Sequence, residues 1–319
     1  MKHWHLVLLV ALLTGISASV SAQGKGYLFA YFTGNGEDGL HLMASRDGLK
    51  WNVLNEGKSY LTPTVGSQKL MRDPCVLLGP DGVFHMVWTT GWEGRDIGIA
   101  HSKDLINWSE QKAIPVMEDE PTAMNCWAPE IFYDAAGKQY LIFWATTIPG
   151  RFPETAGSAG KGRNHRIYYV TTKDFQTYSK AALFYDGGFN AIDATIVKDG
   201  RQFVMVIKDE TEVPQAKKNL RLATSDKATG PYSAAGAPFT PSWVEGPTVL
   251  RLKGEWIVYY DMYRDHRYGA MKTRDWKTWQ DVTGQLQFPP GVRHGTVFSV
   301  SAGVMSNLLA RAGRPGGTK

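Results

Sequence analysis

Cysteine is scarce in this chain: two, Cys75 and Cys126, in 319 residues. That number excludes a disulfide scaffold. Each lies beside a candidate strand start, which leaves two alternatives open, a single bridge or two buried, inert thiols. An apolar run of about 20 residues, the length that a membrane-spanning helix requires, is also missing. So are blocks of Lys and Arg: the formal charge of +5 comes from cations scattered along the chain, and no nucleic-acid motif accompanies them. Nucleic acid is therefore not an expected partner. Long helical periodicity is absent, and no linker marks a second domain.

What is present is a globular composition, 43% apolar and 20% charged. Residues 1–22 combine Lys2, an apolar span from Leu6 to Leu13 and the small-residue ending Val20-Ser21-Ala22. This pattern predicts a secretory signal removed after Ala22, and hence a mature protein that is secreted or periplasmic with no membrane segment. From Tyr27 onward come short β-branched and aromatic runs bounded by Gly, Asp, Asn or Pro. Examples are Tyr27 to Phe32, Val83 to Thr89, Gln139 to Ala145, Ile167 to Thr171, Phe203 to Ile207 and Trp256 to Tyr260. The fold class is all-β.

A repeat specifies the architecture. Ser/Thr-x-Asp-x-x-x-Trp/Tyr occurs at Ser45 to Trp51, Ser102 to Trp108, Thr172 to Tyr178 and Thr273 to Trp279, with a degenerate copy from Ser225 to Tyr232. Five copies at this spacing predict a five-bladed β-propeller, residues 23–307, with residues 308–319 as a disordered tail. The Asp would cap a tight turn, and the aromatic would pack between blades. Between the copies lie strand openers: Arg72-Asp73-Pro74, Trp127-Ala128-Pro129-Glu130, Ile192-Asp193-Ala194, Glu245-Gly246-Pro247 and Arg293-His294-Gly295. The first turn copy precedes any opener, so the N-terminal strand should complete the last blade and close the ring. Innermost strands begin near the axis of a propeller, which would gather Asp73, Asp193 and Glu245 in one funnel. The Gly-, Pro- and Ser-rich segment from Ile148 to Asn164 reads as a long loop within the second unit, over that funnel.

With these ordered motifs, the chain resembles glycoside hydrolase family 43, five-bladed propellers that hydrolyse arabinose-, xylose- and galactose-containing glycans with inversion. The resemblance implies Asp73 as general base, Glu245 as general acid and Asp193 as the residue that orients the acid and tunes its pKa. Ala194 departs from it, standing where Pro is usual. The resemblance also implies an axial role for His294 beside a metal ion or water; no cofactor is required, and a structural calcium is the ion it suggests. Retaining fructosidase families open instead on Asn-Asp-Pro-Asn and follow their acid with Cys, whereas here Gly246 follows Glu245. In the Asp-box of sialidases the aromatic stands one residue further on.

Any one of these acids alone reads as a turn residue, and His294 alone as a core histidine; their ordered recurrence gives the site. Inversion needs a carboxylic acid and a carboxylate roughly 6.5–9.5 Å apart, to admit a water. Glu245 would be kept protonated by burial near Trp243 and by the charge of Asp193, and Asp73 kept ionised by Arg72. Glu130 reads as structural. Sugar subsites need aromatic floors and planar donors, for which Trp127 comes first, then Phe189, with Trp92, Thr146, Arg293 and Trp243 as further candidates. The expected function is inverting, exo-acting release of a terminal sugar, α-L-arabinofuranose first, from a plant-type oligosaccharide or polysaccharide. β-Xylosidase and exo-β-galactosidase are the alternatives on the same scaffold, and a non-catalytic carbohydrate-binding propeller the alternative of another class.

Overall fold

The computed structural model describes residues 25–312, so the expected signal segment lies outside the described residues. The chain opens with β1 (Gly26–Tyr31), β2 (His41–Ser45) and β3 (Asn52–Val53). Blade I follows as β4 (Arg72–Leu78), β5 (Phe84–Thr89), β6 (Ile97–Ser102) and β7 (Lys112–Ile114). Blade II is β8 (Trp127–Asp134), β9 (Gln139–Thr147), β10 (His165–Thr172) and β11 (Ala182–Tyr185). Blade III is β12 (Ala191–Asp199), β13 (Gln202–Asp209) and β14 (Asn219–Ser225). Blade IV is β15 (Glu245–Leu252), β16 (Glu255–Met262), β17 (Arg267–Thr273) and β18 (Gln280–Asp281). The last strand is β19 (Thr296–Val300), before the helix α1 (Ala302–Ala312).

β19 pairs antiparallel with β1, Thr296 opposite Ala30 and Val300 opposite Gly26, so blade V runs β19-β1-β2-β3. The N-terminal strand closes a five-bladed β-propeller, as the motif order predicts. The innermost strands β4, β8, β12, β15 and β19 pack around the axis in that order. The second strands sit between neighbouring blades, covered on both faces, which is why their sequences are nearly continuous apolar runs; every residue of β5 is buried. Each of the five apolar clusters fills one interface between adjacent blades. Cys75 and Cys126 are both buried in the cluster between blades I and II, as free thiols.

The repeated turn sits at the end of the third strand of each blade. In four copies the Asp carboxylate accepts the backbone N–H groups two and three residues on, as Asp104 does from Ile106 and Asn107 at 2.9 and 2.7 Å. The residue after that Asp is left-handed in all four: Gly48, Leu105, Phe175 and Trp276 have φ between 56 and 73°. The degenerate copy at Ser225 belongs to blade III, the blade with three strands. Trp51 packs its ring on Phe29 and Tyr259, at the seam of blades V and IV.

The disordered tail expected from residue 308 is corrected in part. α1 extends to Ala312, and Leu308 is fully buried with Val304 and Met305 against it on the core of blades V and I. An apolar stripe at i, i+1 and i+4 gives the helix a face to bury, which the basic, Gly-rich composition of the segment conceals.

The closure seam leaves no room at Gly295, where a Cβ would stand 1.9 Å from the carbonyl oxygen of Ala30. Gly295→Ala is therefore expected to lower stability by at least about 1–3 kcal/mol, measured as a reduced midpoint in urea unfolding. An unchanged midpoint would mean that the seam is looser than described.

Candidate active site

Each of the first four innermost strands carries the same irregularity at its mouth. Pairing with the second strand slips between Arg72 and Cys75, Trp127 and Glu130, Ile192 and Thr195, and Glu245 and Thr248. These are β-bulges, and the first bulged residue is left-handed every time: Asp73, Ala128, Asp193 and Gly246 have φ of 52, 46, 50 and 57°. A non-glycine residue held there costs of order 1 kcal/mol, and such strain collects where a side chain must be re-aimed. Pro follows in three of the four; Ala194 occupies the same place in blade III and keeps the bulge.

The bulges and blade V bring the acids together. His294 Nδ1 stands 3.3 Å from Asp73 Oδ1 and 3.9 Å from Asp193 Oδ2. Its ring lies where a side chain on Gly246 would be, which makes glycine obligatory beside Glu245. Gly246 N–H donates to Asp193 Oδ2 at 3.0 Å, joining blades III and IV. Asp73 Oδ2 accepts from Thr89 Oγ1 at 2.8 Å, and that hydroxyl accepts the Ala128 N–H at 2.8 Å, joining blades I and II.

Electrostatics divides these groups. Burial works to raise the Asp73 carboxyl, but the hydrogen bond and charge of His294, with Arg72 and Thr89, outweigh it and hold the pKa at about 2. Burial raises Asp193 to about 6 against the pull of His294 and Lys208, with Glu245 and Asp73 adding to the rise. Burial likewise raises Asp261 to about 6, with the charge of Glu245 second, and Glu130 to about 7. His294 would be lowered by burial, but Asp193 and Asp73 reverse this and lift it to about 9.

Glu245 departs from the expectation of a carboxyl buried against Trp243. Its oxygens face two cations, Lys208 Nζ at 3.1 Å and Arg293 at 3.2 Å. The Trp243 ring is instead covered by the guanidinium of Arg264. Arg293 also binds Asp261 at 2.9 Å, so it enters the site as an ion-pair partner of the acids. Trp127 and Trp92 line one cavity together with Arg163, His165 and Glu210. Phe189 is not brought there: it packs at the interface of blades II and III with Arg221 over its ring. Thr146 is fully buried, its hydroxyl accepting from Trp144 Nε1 and donating to Asn125 O, both at 2.8 Å, which leaves it no free donor for a sugar.

Three residues outside the motifs belong to this site. Lys208 is 1% exposed and holds Glu245 and Glu210 at once, Glu210 at 2.7 Å. Asp261 and Thr89, like Lys208, end second strands, and pairing sets them opposite Glu245, Arg72 and Ile192, with Lys208 facing the last. For Lys208 and Asp261 the available signal was a charged residue at the end of an otherwise apolar run. The axial ion implied by the resemblance does not fit: His294 Nδ1 is engaged with Asp73, and among the described residues no group of three or more His, Cys, Asp or Glu is spaced to hold a metal. A calcium ion would need about 6–8 oxygen ligands.

Residues 23–305 match a family described as a probable glycosyl hydrolase domain, related to family 43. An α-L-arabinofuranosidase of Bifidobacterium longum subsp. longum is 23% identical over 242 residues, covering 65% of this chain but only 23% of that protein. The chain thus spans about a quarter of the length of this curated relative. Among solved structures, the α-L-arabinofuranosidase from Lactobacillus brevis superposes with a TM-score of 0.50 at 19% identity, over 67% of this chain and 72% of that one. The family 62 α-L-arabinofuranosidase domain of Coprinopsis cinerea gives 0.51 at 15% identity, over 72% and 74%. A family 43 β-1,3-galactosidase solved with galactodeoxynojirimycin gives 0.52 at 11% identity, over 69% and 79%. At these identities the structural likeness is one of fold.

Because the His294 pKa is raised from 6.5 to about 9 on folding, its contribution to stability is complete below pH 6.5 and is lost as pH rises through about 9. His294→Gln is expected to remove that decline from the unfolding free energy measured between pH 6.5 and 9. Parallel wild-type and variant profiles in that window would show that the imidazole is neutral.

Proposed function

We propose that this chain, which belongs to the glycosyl hydrolase family related to family 43, is an inverting, exo-acting glycosidase that removes a terminal sugar from plant-type glycans. α-L-Arabinofuranose is the first choice of sugar. The observation that carries this reading is that carboxyl groups from blades I and III meet one imidazole, Asp73 at 3.3 Å and Asp193 at 3.9 Å, with their protonation preferences pushed apart, while Gly246 N–H ties the strand of Glu245 to the same Asp193.

Asp73, held at about 2, stays ionised across the working range and draws the proton from the attacking water. Glu245 protonates the leaving oxygen. Asp193 touches the peptide next to it through Gly246 N–H and, with Asp261, forms a cluster in which carboxyls near 6 share protons with their neighbours. Arg293, between Glu245 and Asp261, is a planar donor within reach of the sugar at the acid.

Exo action is supported by the loop from Ile148 to Asn164. It is tied down by Arg166, fully buried, which binds Glu154 at 3.1 Å and Thr155 at 2.9 Å, and by Ser158 O, which accepts the Glu212 N–H at 2.7 Å. Its residues 159–161 wall the cavity that holds Trp92 and Trp127. β-Xylose and β-galactose remain the alternative sugars, since the loops around the funnel rather than the acids set the fit. The pattern of residues 1–22 supports action on glycans outside the cytoplasm.

Hydrolysis of aryl α-L-arabinofuranoside, β-D-xylopyranoside and β-D-galactopyranoside tests the reading. One of them should be turned over, and Glu245→Gln and Asp73→Asn should each lower kcat by roughly 10²–10⁴-fold. A wild type that binds sugar but is silent on every glycoside would favour the non-catalytic binder. Lys208→Met removes a cation that lowers Asp193, so the Asp193 pKa of about 6 should rise and the limb that it sets in the pH profile of kcat/KM should move to higher pH; an unmoved limb would exclude Asp193 as the group that sets it.

A further inference from the structure

Beside the acids lies a cavity of about 380 Å³, within the range of small-molecule sites. A second cavity, of about 330 Å³, lies between α1 and blade V. The first is bounded by Trp92, Trp127, Arg163, His165 and Glu210, with the turn at residues 159–161 as its outer wall. Two chains of contact join it to the reacting groups. On one side Trp127 precedes Ala128, whose N–H reaches Asp73 through Thr89. On the other, Glu210 is bound to Lys208, which is bound to Glu245.

His165 is the informative group. It is 1% exposed, and its Nε2 has no hydrogen-bond partner among the described residues. Asn190 settles which nitrogen carries the proton. Its Oδ1 accepts the His165 backbone N–H at 2.9 Å and faces His165 Nδ1 at 3.0 Å, while its Nδ2 donates to Arg163 O at 3.4 Å. The amide orientation is fixed, so Nδ1 donates and Nε2 keeps its lone pair. Burial lowers the ring's pKa to about 4, which keeps it neutral at ordinary pH. A buried acceptor on the cavity lining calls for a ligand hydroxyl.

An aromatic platform faces the same space. Trp92 is 45% exposed yet rigidly held: its indole N–H donates to Asn35 Oδ1 at 2.9 Å, Arg72 lies 4.2 Å over its ring, and it meets Trp127 edge-on at 5.7 Å. The part-buried charges in the wall are paired, Glu210 with Lys208 and Lys218 and Arg163 with Glu93 at 4.0 Å; of the exposed ones, Glu212 is paired with Lys218 and Lys161 lies in the outer turn. The lining therefore asks for hydroxyls and an apolar ring face rather than for a charge.

We propose that this cavity is a glycosyl subsite, holding an uncharged sugar ring linked to the one between Asp73 and Glu245, laid against Trp92 and donating a hydroxyl hydrogen to His165 Nε2. The identity of the neighbouring site rests on the hydrolase reading; the existence of the subsite does not. Calorimetric titrations into the Glu245→Gln protein test it, using α-1,5-arabinobiose, xylobiose and β-1,3-galactobiose, each beside its monosaccharide. One disaccharide should bind more tightly than its monosaccharide, and His165→Phe should cut that ratio roughly three- to tenfold, the effect of one net hydrogen bond. His165→Gln, which restores an acceptor, should retain more of the ratio than His165→Phe. Trp92→Ala, at a surface position, should cut the ratio as well and provides the test if the buried variants do not fold. An unchanged ratio in these variants, no disaccharide advantage at all, or a preference for a uronic-acid disaccharide would overturn the subsite. Failure of the hydrolase reading is separately visible, as wild-type protein inactive on every aryl glycoside, and the affinity ratio then still decides the subsite.

Discussion

The site depends on a backbone constraint, the left-handed bulge at the mouth of the innermost strand in blades I to IV. A regular strand would alternate its side chains between two blade interfaces and send none to the axis. By admitting one extra residue with φ near 50°, blades I and III turn Asp73 and Asp193 out of that alternation and towards His294. Blade IV uses the same bulge differently: its left-handed position is Gly246, and the carboxyl is carried one residue earlier, by Glu245. That offset lets the His294 ring approach the blade IV backbone where any side chain would block it. The strain at the three non-glycine positions, Asp73, Ala128 and Asp193, is tolerated because each innermost strand is held by its own sheet and by both neighbouring blades.

Around this frame the charges alternate. An imidazolium lies at the centre, the carboxyl groups of Asp73 and Asp193 from blades I and III face it, and Lys208 and Arg293 hold Glu245 of blade IV. Burying so many charges is unfavourable unless each is paired. Asp73 has the hydrogen bonds and cationic partners that keep it a base, while Asp193 and Asp261, raised mainly by burial, hold protons more readily. Two carboxyl populations at one axis are what acid and base catalysis on opposite faces of a sugar require.

Most of the fold was legible in the sequence because it is specified locally. A turn that needs a carboxylate under two successive peptides, and a strand mouth that needs a left-handed residue, followed by Pro in three blades, leave marks in a few neighbouring residues that recur from blade to blade. Even the degenerate turn at Ser225 was informative, since it marks the blade without a fourth strand. Lys208, Asp261 and His165 were not legible, because their roles are set by cross-strand register and by contacts between blades. Lys208 reads as a strand end until pairing places it opposite Ile192, beside the bulge. Thr146 and Phe189 show the converse: packing buries Thr146 with its hydroxyl engaged, and sets the half-buried Phe189 against the interface of blades II and III. The helix at the C-terminus was masked by the basic, Gly-rich composition around it.

The central claim is that acid and base act from opposite sides of the scissile bond with a water between them. The most direct measurement is proton nuclear magnetic resonance of the first-formed sugar, recorded before mutarotation, on whichever glycoside proves to be a substrate. Initial release of the anomer opposite to that of the substrate is the predicted result. Initial release of the same anomer would require a covalent intermediate on one of the carboxylates, and would contradict the roles given to Asp73 and Glu245.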